Sequence, residues 1–233
     1  MIPVAPVLFA QGRRLRRETP ILPDAALPWH GTVPGENSLR LLVLGDSTAV
    51  GVGAATQDDG LPGNLARELQ ARWHRGVEWV AIGESGATAH DLVERFLPTA
   101  LETGFDFVFL TVGANDALKI RTRGAFSRDV RSILTQLRDR NPDAVLMMSS
   151  LPAFYRFELL PQPLKRSLYL HSSSLESAAR AVVREFDNAL MSPKPPPYTD
   201  GFFASDLFHP SSQGYRDWAR FAIDDAFTTG HLR

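Results

Sequence analysis

The chain has 233 residues, enough for one domain that buries about 70% of the surface its unfolded form exposes. Its hydrophobic fraction (44%) and charged fraction (22%) are those of a globular protein, and a net charge of −1 gives no long-range field to gather nucleic acid or anionic lipid. The absence of cysteine excludes disulfides, thiolate metal centres and a cysteine nucleophile.

The first ten residues are mildly apolar but are interrupted by Pro3 and Pro6 and followed, not preceded, by Arg13, Arg14, Arg16 and Arg17. A secretory signal needs the opposite order, and no run approaches the roughly 20 apolar residues that span a bilayer. A cytoplasmic protein without integral membrane association is the expectation. Six of the 17 prolines fall within the first 34 residues. Residues 1–36 therefore read as a proline-rich arm packed on a domain formed by residues 37–233. Val7, Leu8, Phe9, Ile21, Leu22, Leu27 and Trp29 are expected to cover one side of the core.

Beyond the arm, short apolar runs predict strands at about 39–45, 77–82, 105–112 and 144–149. Amphipathic stretches predict helices at about 62–74, 88–97, 124–140, 167–190 and 211–228. Pro62 and Pro210 stand where a first-turn proline is tolerated, and Asn141-Pro142 ends the third of these helices. Strands alternating with helices of ten or more residues imply a parallel sheet covered on both faces. The proline-rich stretch at 192–197 reads as a stiff connector.

Three strand ends and one helix start carry unusual residues. Gly45-Asp46-Ser47 follows the first strand, Gly83-Glu84-Ser85-Gly86 the second and Gly113-Ala114-Asn115-Asp116 the third. Asp206-Leu207-Phe208-His209 precedes the last helix. In a parallel sheet the strand carboxyl ends share one edge, so these loops are able to converge. Acyl transfer requires such a set. A serine hydroxyl becomes a nucleophile when an imidazole takes its proton, and a carboxylate must hold that imidazole in the right tautomer. Asp206 and His209, three residues apart in a turn, suit the last two roles. The oxyanion needs preorganised donors, which the Asn115 side chain and the backbone N–H groups of Ser47 and Gly86 offer.

Taken in this order and on these elements, the four blocks resemble those of the SGNH (GDSL-type) hydrolases over about residues 39–228. The resemblance implies a flavodoxin-like three-layer α/β/α sandwich with a central parallel sheet. It also implies hydrolysis of carboxylic esters, of small acyl or lipid-like type, with no metal and no cofactor. It assigns Ser47 as nucleophile and oxyanion donor, Gly86 and Asn115 as further oxyanion donors, and Asp206 and His209 as the rest of the triad. The family pattern has leucine where Thr48 stands, a position beyond the nucleophile. Carbohydrate O-acetyl esterase or thioesterase activity on the same triad, or a non-catalytic ligand-binding module, are the alternatives. The expected partner is a small-molecule ester, with no nucleic acid, and the protein is expected to be a monomer or small homo-oligomer.

Other readings compete at particular residues. A serine ending a strand is commonly a helix N-cap. Ser85 sits in Gly83-Glu84-Ser85-Gly86-Ala87, an imitation of the G-x-S-x-G elbow with alanine in the last place. Asp46 and Asp116 are either ligands for a hard cation or acceptors for neighbouring loop backbone. Residues 152–166 form either a substrate flap or a loop packed on the arm. Lys119, Arg121 and Arg123 attract an anionic substrate or form a solvated edge. Gly51-Val52-Gly53 lacks the third glycine of a dinucleotide fingerprint, since Thr56 stands there.

Overall fold

Leu41, Leu42, Val43 and Leu44 alternate between two separate cores, one on each face of a sheet. This is why four consecutive aliphatic residues occur together: both faces of their strand are covered. In the computed structural model, which describes residues 4–194 and 196–232, the elements run in chain order as follows. The N-terminal part holds α1 (Val4–Glu18), β1 (His30–Val33), β2 (Leu39–Gly45), α2 (Leu61–Trp73) and β3 (Val77–Gly83). Next come α3 (Ala89–Asp91), a π-helical turn (Leu92–Phe96), α4 (Leu97–Ala100), β4 (Phe107–Thr111), α5 (Ala114–Leu118) and α6 (Arg123–Arg140). The chain closes with β5 (Val145–Met148), a 3-10 turn (Phe154–Arg156), α7 (Leu164–Val183), β6 (Ala189–Met191) and α8 (Ser212–Thr228).

The sheet order is β1-β3-β2-β4-β5-β6, parallel throughout except for β1, which pairs antiparallel with β3 at the edge. The five parallel strands have the doubly wound order of flavodoxin-like folds. Leu61, Leu65 and Leu69 of α2 and Trp218 and Ile223 of α8 pack on one face with Leu41, Val43, Phe107 and Phe109. On the other face Ile133 and Leu137 of α6 and Leu175 and Val182 of α7 pack with Leu42, Leu44, Val108 and Leu110. The result is the three-layer α/β/α sandwich that the resemblance implies.

Several elements differ from the sequence reading, each for a physical reason. The first 36 residues hold a helix and an edge strand. Pro6 falls in the first turn of α1, where its missing N–H costs nothing. Leu8, Leu22 and Trp29 are half-buried, whereas Val7, Phe9, Ile21 and Leu27 remain exposed and do not cover the core. The helix expected to stop before Pro98 continues past it. The Leu97 N–H bonds Leu92 O across a π-helical turn, so the chain bypasses the bond that Pro98 is unable to make. The helix expected to run to 190 ends at Val183 instead. Asn188 then adopts a left-handed conformation (φ 51°) and the chain enters β6.

The strand ends pack closely. Gly45 pairs in register with Gly83 on one side and Thr111 on the other. A Cβ on Gly45 would stand 2.0 Å from Thr111 Oγ1 and 2.2 Å from Thr111 O. Gly45→Ala is therefore expected to cost about 3 kcal/mol, lowering Tm by roughly 6–12 °C in a domain of this size, as measured by thermal unfolding.

Candidate active site

β2 delivers the first component. Asp46 N–H bonds Thr111 O at 3.0 Å, and the chain then turns through Ser47 to Gly53, with Val52 N–H on Ser47 O at 3.0 Å. The Asp46 carboxylate is buried and accepts the Thr48 N–H (3.1 Å) and Thr48 hydroxyl (3.0 Å) on one oxygen. Its other oxygen accepts the Asn115 side-chain amide at 3.5 Å. Burial pushes the Asp46 carboxyl above its ordinary range, against the opposing pull of Thr48 and His209.

The second component comes from the loop before α8, which is pinched shut by its own backbone. Ala204 N–H bonds His209 O at 2.8 Å, Leu207 N–H bonds Ala204 O at 3.0 Å, and Phe203 bridges Pro210. Leu207 takes a left-handed conformation (φ 56°) at the tip. One oxygen of the buried Asp206 accepts the backbone N–H groups of Phe208 and His209, both at 3.0 Å. Its other oxygen lies 2.6 Å from His209 Nδ1. Burial alone would raise the Asp206 carboxyl. The His209 ring and the two amides outweigh it and hold the group below the usual carboxylate range.

The two components meet at His209. With Nδ1–H donating to Asp206, Nε2 is left as an acceptor, and it lies 3.0 Å from Ser47 Oγ. Ser47 is nearly buried, and the His209 side chain is 20% exposed, enough for a substrate to reach. The Tyr215 hydroxyl, fully buried on α8, donates to Val52 O at 2.7 Å and so joins the Ser47 turn to the helix behind His209. Such an arrangement is able to move a proton from the hydroxyl to the ring.

The remaining loops close around Ser47. Asn115, at the start of α5, donates to Ala87 O at 3.1 Å as well as to Asp46, so its amide borders both the Ser47 turn and the Gly86 turn. Gly86 has φ 87°, and nothing lies within 4 Å of a Cβ added there. Glycine is thus demanded by the backbone conformation; space around it is ample. Among the described residues the backbone N–H groups of Ser47 and Gly86 have no acceptor within the protein. Asp116 is fully buried and accepts Ala89 N–H at 3.0 Å, which ties the start of α3 to the Asn115 loop. Arg121 approaches its other oxygen at 3.2 Å without in-line hydrogen-bond geometry and pairs with Asp129. Both aspartates therefore act on neighbouring loops and their side chains, and no metal-binding cluster occurs among the described residues.

The competitors fall elsewhere. Ser85 is exposed on the turn after β3, and His209 is bonded to Ser47. A second histidine that follows the Gly86 turn, His90, is exposed in α3, where Thr88 and Asp91 form a capping box. Lys119 donates to Gly86 O at 3.0 Å and Arg121 is held by two aspartates, so neither is a free basic edge. In the 152–166 segment Phe154, Phe157 and Leu160 are buried in the core, and the Phe157 ring lies 5.4 Å from that of Phe208, beside His209. A cavity of roughly 540 Å³ lies at the opposite edge, among Leu39, Phe105 and Ala144, and shares no residue with Ser47. The roles of Thr48, Ala87 O and Tyr215 were not legible in the sequence. Only Thr48 left a trace there, as the departure from the family pattern.

Known proteins share this architecture. The family model for the GDSL-like lipase/acylhydrolase family matches residues 43–216. A curated relative, the GDSL-like esterase Rv1075c of Mycobacterium tuberculosis, is 26% identical in an alignment 212 residues long that covers 86% of this chain and 66% of that protein. The chain thus spans just under two thirds of that relative's length. Among solved structures, the lipase Lip_vut3 from a goat rumen metagenome superposes with a TM-score of 0.65 at 17% identity, covering 84% of this chain and 99% of that one. Axe2, an acetylxylan esterase from Geobacillus stearothermophilus, gives 0.57 at 19% identity, covering 85% of this chain and 98% of its own. At such identities the structural likeness speaks for the fold. With a family model matched over most of its length, the chain belongs to the GDSL-like lipase/acylhydrolase family.

Proposed function

We propose that the protein is a serine esterase that hydrolyses small or lipid-like carboxylic esters through an acyl-enzyme on Ser47. The single observation that carries the reading is the continuous hydrogen-bonded path Asp206–His209–Ser47, at 2.6 and 3.0 Å. Ser47 Oγ attacks the ester carbonyl while His209 Nε2 takes its proton. Asp206 keeps Nδ1–H in place and stabilises the imidazolium. His209 then gives the proton to the departing alkoxide, and a water deprotonated by the same ring releases the acid. The oxyanion is met by the N–H groups of Ser47 and Gly86 and by the Asn115 amide, which releases its long 3.5 Å contact with Asp46 to do so. The two backbone donors lack partners within the protein, so they stand ready without rearrangement.

Ser47→Ala is expected to lower kcat for p-nitrophenyl acetate by roughly 10³-fold or more and to abolish labelling by a fluorophosphonate probe, with Tm retained. Ser85→Ala is expected to match the parent in both assays. Labelling that persists in Ser47→Ala and vanishes in Ser85→Ala would reverse the assignment. A folded parent protein that neither labels nor hydrolyses would indicate the non-catalytic module.

The loop carrying Asn115 also has a titration signature. Burial pushes Asp116 up to about 6, with Asp46 and Asp129 adding to the shift and the Ala89 N–H and Arg121 opposing it. A carboxyl raised in the folded state loses its proton first in the unfolded chain. Its contribution to stability therefore falls as pH rises from about 4 to about 6, by at most ~3 kcal/mol. Asp116→Asn keeps an acceptor for Ala89 and removes this dependence. The Tm of the variant relative to the parent is expected to be higher at pH 7.5 than at pH 4 in parallel melts.

A further inference from the structure

Among the described residues, the large apolar side chains left exposed other than Val7 and Leu170 gather toward one edge. Phe9, Ile21, Leu27, Ile120, Tyr155 and Leu207 are 68, 95, 80, 65, 44 and 51% exposed. Leu207 lies between Asp206 and His209, Ile120 follows α5 just beyond Asn115, and Tyr155 is on the turn after β5. All three belong to loops at the edge where Ser47 sits. Residues 19–28 cross the same edge: Ala25 N–H bonds Val50 O and Ala26 N–H bonds Ala55 O, both at 3.0 Å. Asp24, between them and Ile21, is near enough to Glu84 and His209 to feel both charges. Ile21 and Leu27 thus project from the rim of the site. Single exposed apolar residues are normal, but a set gathered on one edge marks an interaction surface.

α1 extends this rim and gives it charge. The Gln11 side chain donates to Gln162 O at 2.7 Å and accepts Leu164 N–H at 3.2 Å, which seats the helix at the start of α7, beside the same edge. Helical spacing turns Leu8, Gln11, Gly12 and Leu15 inward and leaves Phe9, Arg13, Arg14 and Arg17 facing out. Arg13 lies 5.8 Å from the Phe9 ring. Arg14 pairs with Glu18, while Arg13 and Arg17 make no ion pair among the described residues.

We propose that this edge docks on an anionic lipid surface. Arg13 and Arg17 of α1 lie against the headgroups, and Phe9, Ile21, Leu27 and Leu207 reach the acyl boundary, with the Ser47 site facing the bilayer. Lipid rewards both halves of the surface, basic and apolar, whereas a nucleic-acid backbone rewards only the first. The association is peripheral: no helix among the described residues is long and apolar enough to cross a membrane. Docking itself stands apart from the chemistry. That the substrate is a membrane-borne ester rests on the esterase reading above.

The test is flotation of the full chain with vesicles of phosphatidylcholine alone and of phosphatidylcholine mixed with phosphatidylglycerol. Binding to the mixed vesicles, weakened by salt, is expected. Each arginine near an anionic leaflet is worth roughly fivefold in partitioning, so the double variant Arg13→Glu/Arg17→Glu is expected to bind about 25-fold more weakly or worse. Ile21→Ser/Leu27→Ser is expected to weaken binding too. Both variants are expected to keep the parent's Tm and its rate on a soluble ester. Ser47→Ala is expected to float like the parent, so docking and hydrolysis fail separately. No flotation of the parent, or flotation unchanged in both double variants, overturns the proposal. So does affinity for single-stranded DNA that Arg13→Glu/Arg17→Glu abolishes while vesicles are ignored.

Discussion

A carboxylate taken out of water must be bonded or it destabilises the fold, and Asp46 is such a carboxylate at the first turn beyond the sheet. Its bonds to the Thr48 N–H and hydroxyl fix the direction in which the chain leaves β2. Its bond to Asn115 ties that turn to the loop after β4, and Asn115 in turn holds Ala87 O on the loop after β3. Three loops from three adjacent strands are thereby locked together through one buried group. The bare α-carbon of Gly45 makes this possible, since Thr111 occupies the space a side chain would need. Displacing that turn would move Ser47 Oγ away from His209, where the separation is one hydrogen bond long.

The other half of the site is organised differently. Asp206 and His209 need no distant element to find each other, because the loop between Phe203 and Pro210 closes on its own backbone bonds. Leu207 accepts a left-handed conformation at the tip, and in exchange Asp206 collects two amides and the ring nitrogen. The pair forms a preassembled unit that the fold has only to bring up to Ser47. Tyr215 and the edge-to-face contact of Phe208 with Phe157 do so, one from α8 and the other from the segment after β5.

What could be read from the sequence follows the same division. β2 to β5 appear within about two residues of the expected bounds, because burial of most of their side chains imposes apolar runs, interrupted by the exposed Arg40 and Glu78. Ser47, Asn115, Asp206 and His209 stood out because they are chemically odd at strand and helix ends, and the fold does bring them together. Elements defined by context alone were invisible. β1 is a polar edge strand containing Gly31, and β6 is three residues trailing an amphipathic helix. α1 was hidden by Pro6, although a first-turn proline does not stop a helix. The bonds of Thr48 and Ala87 left no pattern, since a backbone carbonyl has no sequence signature.

Composition misleads most where charge is segregated. A net charge of −1 does describe the far field of the whole chain. At contact range, however, screening limits each group to about a Debye length of some 8 Å, and only local charge matters. Within α1 four arginines stand against one glutamate, and this helix is held at the edge that carries Ser47. Most of the exposed large apolar residues gather on that same edge, while the far face of the sheet hides its aliphatic side chains beneath α2 and α8. A molecule of nearly balanced charge thus acquires one face unlike the rest. That face arises where parallel strand ends, a self-closed loop and an N-terminal helix are forced to meet.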